Sequence, residues 1–340
     1  MRRKGRGVST KGNMAGKNDN LLEVANLKTY FPIRRGLLRR IVGYVKAVDD
    51  VSFVVPRGKS MGLVGESGCG KTTVARTLVR LVESDGGKAY FEDQEIFSAG
   101  KKELKRLRRD ISIIFQDPYG SLNPRMTVGN IIGEPIKVGL GVSGSELIGR
   151  TEELMVKVGL SHDHINRYPH EFSGGQRQRI GIARSLAMKP KLVICDEPVS
   201  ALDVSIQSQI LNLLKDLQEE FGLTYLFIAH DLAVVEFFCD TIAVMYRGRI
   251  VEKAAGEEIY KNPLHPYTKT LLAAIPKVDT SLRGKKRSVA GEVADSPGWE
   301  QACAFYPRCK AVDGRCLEGG AGLKEVVEGS GHFVACWKYR

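Results

Sequence analysis

One short stretch has the residue types and spacing of a phosphate-binding loop. It reads Gly65, Glu66, Ser67, Gly68, Cys69, Gly70, Lys71 and Thr72, with four residues between the first glycine and the final Gly-Lys-Thr. Glycines let such a loop curl so that its N–H groups face phosphate oxygens, and the N-terminus of the following helix adds partial positive charge. We expect Lys71 to reach the β and γ phosphates of a nucleotide and the Thr72 hydroxyl to bind Mg²⁺, with Thr73 in the same binding set.

Two carboxylates follow an apolar run further along the chain. Residues 192–195 are apolar, and Asp196 and Glu197 come directly after them. Ligands collect at the C-terminal ends of strands in open α/β sheets. Asp196 can hold Mg²⁺ through water, and Glu197 can orient or deprotonate an attacking water. Many strands end in a solvated acid, so this pattern becomes specific only with the phosphate-binding loop upstream.

A third set of residues opens a helical pattern with a polar, glycine-rich start. Phe172 is followed by Ser173, Gly174, Gly175 and Gln176. A plain N-cap explains the serine alone. The two glycines and the glutamine suit a second anion cup, in which backbone N–H groups and a helix N-terminus face a phosphate.

These three sets require a sheet flanked by helices to bring them together. Short apolar or alternating runs predict an edge strand over 21–31 and further strands over 47–55, 60–64, 111–115, 191–195 and 224–229, with a hairpin around Gly248 over 241–252. Helical patterns cover 71–81 and most of 127–188. Residues 34–46 hold four arginines and one lysine, and are expected to form a basic insertion before the second strand. The order indicates an α/β nucleotide-binding core interrupted by helices.

Composition excludes several classes of protein. The 340 residues carry a net charge of +12 and are 43% hydrophobic and 26% charged, as in ordinary soluble globular proteins. No apolar run of the length that spans a bilayer occurs, and no apolar stretch follows the basic N-terminus as in a secretory signal. Residues 1–20 are basic and poor in aliphatic residues, which favours a disordered solvated tail over contact with anionic lipid or nucleic acid. We therefore expect a cytosolic chain that binds no nucleic acid.

Residues 173–176 resemble the signature of ABC ATPases, with Phe172 in place of the usual leucine. The resemblance covers about residues 21–340 and implies further roles. Gln116 resembles the Q-loop glutamine, which senses Mg²⁺ and the transmembrane partner, and His230 resembles the switch histidine at the γ-phosphate. The D-loop is matched by Ser200, Ala201, Leu202 and Asp203, and the adenine-stacking aromatic by Tyr30, Phe31 or Tyr44.

Three features resemble the oligopeptide/dipeptide/nickel importer subfamily. They are residues 116–124 (QDPYGSLNP), residues 262–268 (NPLHPYT) and a cysteine-rich tail. The resemblance implies an α/β fold with a P-loop NTPase (RecA-like) core and an antiparallel β subdomain in an ABC ATPase domain over 21–260. A helical insertion subdomain is expected at about 119–188, and a small C-terminal module with cysteines over 261–340.

Four of the seven cysteines crowd into that tail, at Cys303, Cys309, Cys316 and Cys336. Their spacing is C-x5-C-x6-C-x19-C, without the paired C-x-x-C knuckles of zinc ribbons. Four thiolates at wide spacing favour a [4Fe–4S] cluster, with zinc or free structural thiols as alternatives. The resemblance to the importer ATPases points the same way.

The resemblance also implies an assembly. Two ATPase subunits, expected to form a heterodimer, would hold ATP and Mg²⁺ between them on two membrane permease subunits, at the cytoplasmic face of the cell membrane. An extracellular solute-binding protein would act indirectly, with peptide, oligosaccharide or nickel as cargo. A soluble ABC ATPase of DNA repair or translation would carry a coiled coil or two cassettes. A non-catalytic subunit would have lost Glu197, His230 or part of the signature, and the sequence contains all of them.

Overall fold

The computed structural model describes residues 19–37, 39–275 and 302–340, so the predicted disordered tail lies almost wholly outside the described residues. The chain forms one mixed sheet, one antiparallel sheet and the helices that pack on them. Its strands are β1 (Asn20–Arg35), β2 (Arg40–Pro56), β3 (Ser60–Val64), β4 (Gly86–Phe91), β5 (Gln94–Glu95), β6 (Ile111–Ile114), β7 (Leu192–Asp196), β8 (Thr224–Ala229), β9 (Thr241–Tyr246), β10 (Arg249–Ala255), β11 (Lys324–Glu325) and β12 (Phe333–Val334).

The larger sheet has the order β11-β12-β10-β9-β3-β8-β7-β6. Its centre, from β9 to β6, is parallel, as an α/β nucleotide-binding core requires. The predicted hairpin over 241–252 is confirmed, since β9 and β10 pair antiparallel around a turn at Gly248, where φ is +81°. Glycine suits this turn because residues with a Cβ avoid that backbone region.

The smaller sheet corrects two expectations from the sequence. Its order is β2-β1-β4-β5, so β1 is an interior strand and not the predicted edge. The basic residues 34–46 do not form a separate insertion, because Arg34 and Arg35 pair with Ile41 and Arg40 and extend the β1–β2 hairpin. The pairing of β1 with β4 joins segments about 60 residues apart, which a local pattern cannot reveal.

Ten α-helices are described. They are α1 (Lys71–Leu78), α2 (Lys101–Asp110), α3 (Val128–Leu140), α4 (Gly144–Lys157), α5 (Gly174–Leu186), α6 (Val204–Phe221), α7 (Leu232–Phe238), α8 (Gly256–Lys261), α9 (Pro266–Ala274) and α10 (Arg315–Glu318). Helices α3 to α5 confirm the helical segment predicted between 127 and 188. Within the described residues, no helix has both the length and the apolar character needed to cross a membrane.

Each parallel strand contributes to two hydrophobic cores. In β7, Val193 and Cys195 face one core, while Leu192 and Ile194 face the other. The first core is filled by α3 to α9, and the second by α1, α2 and the antiparallel sheet. Because successive side chains of a strand point to opposite faces, the fully apolar β7 must be covered on both sides. Its acidic end at Asp196 is therefore held rigidly.

The C-terminal residues attach to this scaffold by β12, which pairs with β10. A buried carboxylate anchors the same place. Glu252 accepts hydrogen bonds from the backbone N–H groups of Leu264 and His265 at 2.7 and 2.9 Å, and its side chain lies 2.8 Å from His332 Nε2. A buried charge is tolerated when it is paired and hydrogen-bonded in this way. The end of the chain is thus part of the main sheet.

Candidate functional site

The glycine-rich loop lies between β3 and α1, pressed against neighbouring backbone. A Cβ atom built on Gly65 would lie 2.1 Å from the carbonyl oxygen of Met245, and one on Gly70 would lie 2.0 Å from that of Ala47. Gly70 also has a φ of +108°, which residues with a Cβ rarely adopt. Only glycine fits these two positions, so the loop sequence is dictated by its packing.

Lys71 opens α1 and is 4% exposed. Its Nζ donates to the carbonyl oxygens of Gly65 and Glu66 at 2.7 and 3.0 Å, and lies 4.0 Å from Glu197 Oε1. A buried ammonium needs such partners because burial otherwise disfavours the charge. The loop thus holds one positive charge at its centre.

The two acids at the end of β7 have different surroundings. Asp196 is 1% exposed and accepts a hydrogen bond from the Thr72 hydroxyl at 2.9 Å. Burial raises the pKa of Asp196, and the bond from Thr72 offsets this only in part. A hydroxyl and a carboxylate are the oxygen ligands that Mg²⁺ prefers, so Thr72 and Asp196 together fit a magnesium ion.

Glu197 lies where three other sequence motifs meet. Gln116 Nε2 donates to its Oε2 at 3.0 Å, and His230 Nδ1 lies 3.0 Å from the same oxygen. Its backbone has a φ of +48°, which non-glycine residues seldom adopt. The strained backbone is held by its N–H bond to Ile228 O and by Ser200, whose N and Oγ both donate to Glu197 O.

An open cleft of about 470 Å³ joins these groups. Its lining is Ser67, Gln116, Asp117, Glu197, Ser200, Ala201 and His230. The cleft therefore brings together residues from the glycine-rich loop, the end of β7, the end of β8 and the segments that precede α3 and α6. Asp203 lies at the N-cap position of α6, and Leu202 is partly buried against the first core.

Residues 173–176 are arranged apart from that cleft. Ser173 caps α5 in a reciprocal box, in which its N–H donates to Gln176 Oε1 at 3.0 Å and its hydroxyl accepts from Gln176 N at 3.4 Å. The glycines approach other residues of the same chain. A Cβ on Gly174 would lie 3.6 Å from Leu202, and one on Gly175 only 2.6 Å from Ile206.

The three aromatic candidates for stacking on adenine differ in their exposure and hydrogen bonding. The Tyr30 hydroxyl donates to Asp49 Oδ1 at 2.7 Å, and burial and this neighbouring carboxylate raise the pKa of Tyr30 to about 12. Arg249 holds the same carboxylate, with Nη2 at 2.6 Å from Oδ2. Phe31 and Tyr44 are 41% and 54% exposed on the β1–β2 hairpin. Tyr30 is thus occupied by its polar contact, whereas the other two rings are open to a ligand.

The four C-terminal cysteines come together but do not form a recognisable metal site. The thiols of Cys309, Cys316 and Cys336 all act electrostatically on Cys303, and the backbone N–H of Cys303 donates to Cys316 O at 2.7 Å. No three histidine, cysteine, aspartate or glutamate side chains within 19–37, 39–275 and 302–340 have an arrangement that could hold a metal ion. The predicted [4Fe–4S] cluster is therefore not supported by this geometry, nor is the alternative zinc site.

Two residues that the sequence did not predict at this site contact the glycine-rich loop. Tyr267 OH accepts the backbone N–H of Glu66 at 2.9 Å, and Arg308 binds the Glu66 side chain. Tyr267 belongs to residues 262–268, and Arg308 lies between Cys303 and Cys309 of the cysteine-rich tail. The motifs marked them as distinctive, but their distance along the chain hid the contact.

The parallel sheet, the glycine-rich loop with its lysine and the acids at the end of β7 define a P-loop nucleoside triphosphatase. A family model described as "ABC transporter" matches residues 48–200, and one described as "Oligopeptide/dipeptide transporter, C-terminal region" matches residues 251–316. The oligopeptide transport ATP-binding protein AppF of Bacillus subtilis (strain 168) is 47% identical over 96% of this chain and 99% of its own length. The dipeptide transport ATP-binding protein DppF of Escherichia coli (strain K12) is 45% identical over 93% and 94%.

Solved structures resemble the ATPase part of the chain. CbiO1 from Clostridium perfringens, part of the ABC transporter complex cbiONQ, superposes with a TM-score of 0.63 at 27% identity, over 72% of this chain and 92% of its own. The cassette MJ0796, a dimer bound to ADP and Pi in a post-hydrolysis state, gives 0.61 at 28% identity over 69% and 98%. The chain belongs to the ATP-hydrolysing subunits of ABC transporters, in the oligopeptide/dipeptide family. The transport function is thus favoured over that of a soluble ABC ATPase.

Proposed function

We propose that this chain powers a peptide importer by binding and hydrolysing Mg²⁺–ATP with the residues of the cleft. The observation that carries the proposal is the convergence of Gln116 and His230 on one oxygen of Glu197, beside the buried Lys71. Phosphoryl transfer requires mainly positioning and electrostatic stabilisation, and these side chains supply both.

The roles follow from the chemistry of each group. The N–H groups of residues 65–73 and the N-terminus of α1 bind the phosphates, and the Lys71 ammonium moves from the loop carbonyls to the β and γ phosphates. Thr72, Asp196 and Gln116 would hold Mg²⁺, which would neutralise phosphate charge. Glu197 orients the attacking water or takes its proton, and His230 steadies Glu197 and the γ-phosphate.

A second subunit completes the site. Residues 173–176 form the N-terminus of α5, where Ser173 and Gln176 bond to each other and the two glycines lie near Leu202 and Ile206. We infer that they serve the nucleotide on the loop of a partner ATPase and that residues 200–203 line the same boundary. The partner is a second, non-identical ATPase, and closure of the pair moves two permease subunits at the cytoplasmic face of the membrane.

The cargo is inferred from the relatives. AppF and DppF are named for oligopeptide and dipeptide transport. We propose peptides rather than oligosaccharide or nickel for this transporter, delivered by an extracellular binding protein. Uptake of a labelled tripeptide by vesicles holding the assembled transporter tests this, with nickel and an oligosaccharide as competitors.

Lys71→Ala tests the nucleotide site itself. Its ammonium is needed only where phosphates bind, so the variant is expected to fold normally and to lose most ATP affinity. Titration of purified protein with Mg²⁺–ATP, with circular dichroism as the control for folding, measures this. Unchanged affinity would exclude the glycine-rich loop as the phosphate site.

Phe31 and Tyr44 are the more exposed of the three candidates, Tyr30, Phe31 and Tyr44, for stacking on adenine. Strand β2 passes over the loop at Ala47, whose carbonyl oxygen approaches Gly70, and Tyr44 precedes it by three residues. This spacing supports Tyr44, since three strand residues span about 10 Å, the reach from phosphate to base. A stacked ring contributes on the order of 1–3 kcal/mol, so Tyr44→Ala should weaken ATP binding about tenfold and Phe31→Ala should not. The reverse result would assign Phe31.

The four clustered thiols still support a metal hypothesis through their chemistry, although their geometry does not form a site. Cys303, Cys309, Cys316 and Cys336 are electrostatic neighbours in one small module, and thiolates are the ligands of iron–sulfur clusters and structural zinc. Metal analysis of anaerobically purified protein distinguishes the cases. About four irons per chain indicate a [4Fe–4S] cluster, one zinc indicates a zinc site, and neither metal indicates structural thiols.

A further inference from the structure

Arg308, in the C-terminal module, forms an ion pair with Glu66 of the phosphate-binding loop. Arg308 Nη1 and Nη2 donate to Oε2 and Oε1 of Glu66 at 2.9 and 2.8 Å, between positions 242 residues apart. The pair is largely buried, with 15% of the Arg308 side chain and 27% of the Glu66 side chain exposed. A two-pronged arginine–carboxylate pair fixes the orientation of the carboxylate as well as its position. The second residue of the loop is therefore held from outside the ATPase core.

Aromatic rings pack around the Arg308–Glu66 pair. The Phe305 ring lies 5.4 Å from that of Tyr246 and 5.5 Å from that of Tyr267, and the Arg308 guanidinium lies 5.6 Å from the Phe305 ring. Tyr267 in turn accepts the backbone N–H of Glu66 at 2.9 Å. Glu66 is thus bound twice, through its side chain and through its backbone, by residues that lie beyond α8.

Glu66 connects Arg308 to Lys71, the lysine of the loop. The Glu66 carbonyl oxygen accepts a hydrogen bond from Lys71 Nζ at 3.0 Å, while the Glu66 carboxylate is held by Arg308. Movement of Glu66 would therefore displace one of the two carbonyl groups from which the ammonium moves to the phosphates. The other is Gly65, its immediate neighbour in the chain.

The positive charge of Arg308 also acts on the Glu66 carboxylate. The loop is proposed to bind the phosphates of ATP, and an unpaired carboxylate at Glu66 would repel them. Like charges a few ångströms apart interact strongly where water is partly excluded. Arg308 neutralises this carboxylate by a two-pronged ion pair.

We propose that Arg308 is a positioning residue of the ATP site, through which the C-terminal module sets the shape and charge of the phosphate-binding loop. The inference rests on the proposed binding of ATP by that loop. It gives the C-terminal segment a role in nucleotide affinity, in addition to its contacts with the main sheet.

The test uses the full chain, with Mg²⁺–ATP as the titrated ligand and the KM and kcat of the assembled transporter as further readouts. Arg308→Gln should weaken ATP affinity on the order of tenfold or more, because a charge-assisted pair is lost and Glu66 is left unpaired. KM should rise more than kcat falls. Adding Glu66→Gln to Arg308→Gln should restore much of the affinity, since the repelling carboxylate is then absent. Arg308→Lys should be intermediate, because lysine keeps the charge but not the two-pronged bond.

Arg315→Gln is the matched control. Arg315 lies in the same module and pairs with Asp313, but both side chains are about half exposed, so ATP affinity should not change. Wild-type affinity in a folded Arg308→Gln protein would overturn the proposal, as would equal effects of Arg308→Gln and Arg315→Gln. If Arg308→Gln does not fold, wild-type affinity in Arg308→Lys overturns it. Failure of the wild-type chain to bind ATP at all would instead refute the proposed function.

Discussion

At the scale of single residues, the site is organised around Glu197. This side chain is buried, its backbone has a positive φ, and it receives Gln116 and His230 on one oxygen. Asp196, one residue earlier, is bound instead by Thr72. The two neighbouring carboxylates thus have separate partners. This arrangement suits Asp196 to bind magnesium and Glu197 to act on the attacking water.

Glu197→Gln is expected to leave ATP binding intact and to stop turnover. Glutamine has nearly the same shape but cannot accept a proton, and removing a general base lowers a rate on the order of 10²–10⁴-fold. ATP binding and ATPase rate in the assembled transporter measure the two effects. Glu220→Gln is the control, since Glu220 forms a surface ion pair with Lys157 on the exposed side of α6. Hydrolysis near the wild-type rate would show that Glu197 is not the catalytic base.

At the scale of elements, helix α5 begins with a capped, glycine-rich turn that lies against α6 of the same chain. The capping box of Ser173 and Gln176 orders the first turn, and Leu202 and Ile206 pack beneath the two glycines. The closeness of Ile206 to Gly175 means that a side chain at Gly175 would disturb the contact between α5 and α6 within the same subunit. A test of action between subunits must therefore use Ser173.

Ser173→Ala should impair the nucleotide site of the partner subunit and spare the site on its own loop. The phosphate would lose its hydrogen bond from the serine hydroxyl. A hydrogen bond to a charged group contributes about 1.5–3 kcal/mol, or roughly tenfold or more in affinity. Trapping of labelled nucleotide in each subunit of the assembled pair measures this, and Lys71→Ala serves as the opposite control because it acts on its own loop. Loss of trapping only in the subunit that carries Ser173→Ala would contradict the assignment.

At the scale of the whole molecule, the C-terminal residues are joined to the ATPase part by polar groups that are fully enclosed. The Glu252 carboxylate is hydrogen-bonded to Leu264, His265 and His332. Strand β12 continues the main sheet by pairing with β10. His265 is 2% exposed, caps α9 by accepting the N–H of Tyr267 at 3.1 Å, and lies against Phe305. Burial lowers the pKa of His265 from 6.5 to about 4.

This buried histidine predicts a pH dependence of folding. Because the unfolded chain takes up a proton near pH 6.5 and the folded chain only near pH 4, stability is complete above about 6.5 and falls as the pH drops toward 4. The slope attributable to His265 is at most about 1.4 kcal/mol per pH unit. Urea unfolding of the wild type and of His265→Asn measures it, since asparagine can cap the helix but does not titrate in this range. The two proteins should differ in slope between pH 4 and 6.5, and parallel curves there would refute the prediction.

Local chemistry explains why so much of the ATPase could be predicted from the sequence. The glycines of the phosphate-binding loop, the apolar run of β7 with its two acids, and the Ser173 cap are short-range patterns, and each is present in the structure as a strand, turn or helix start. The parallel core, the helical segment between 127 and 188 and the β9–β10 hairpin follow from the same periodicities.

Only the tertiary structure decided which distant groups meet. It made β1 an interior strand by pairing it with β4, converted the basic residues 34–46 into a hairpin, and brought Gln116 and His230 to one oxygen of Glu197. It also brought Arg308 to Glu66 across 242 residues. It drew the four clustered cysteines together without arranging them as a metal site within the described residues. The physical reason is that strand and helix periods are set by the local backbone, whereas these contacts depend on how separate elements pack, which residue spacing does not encode.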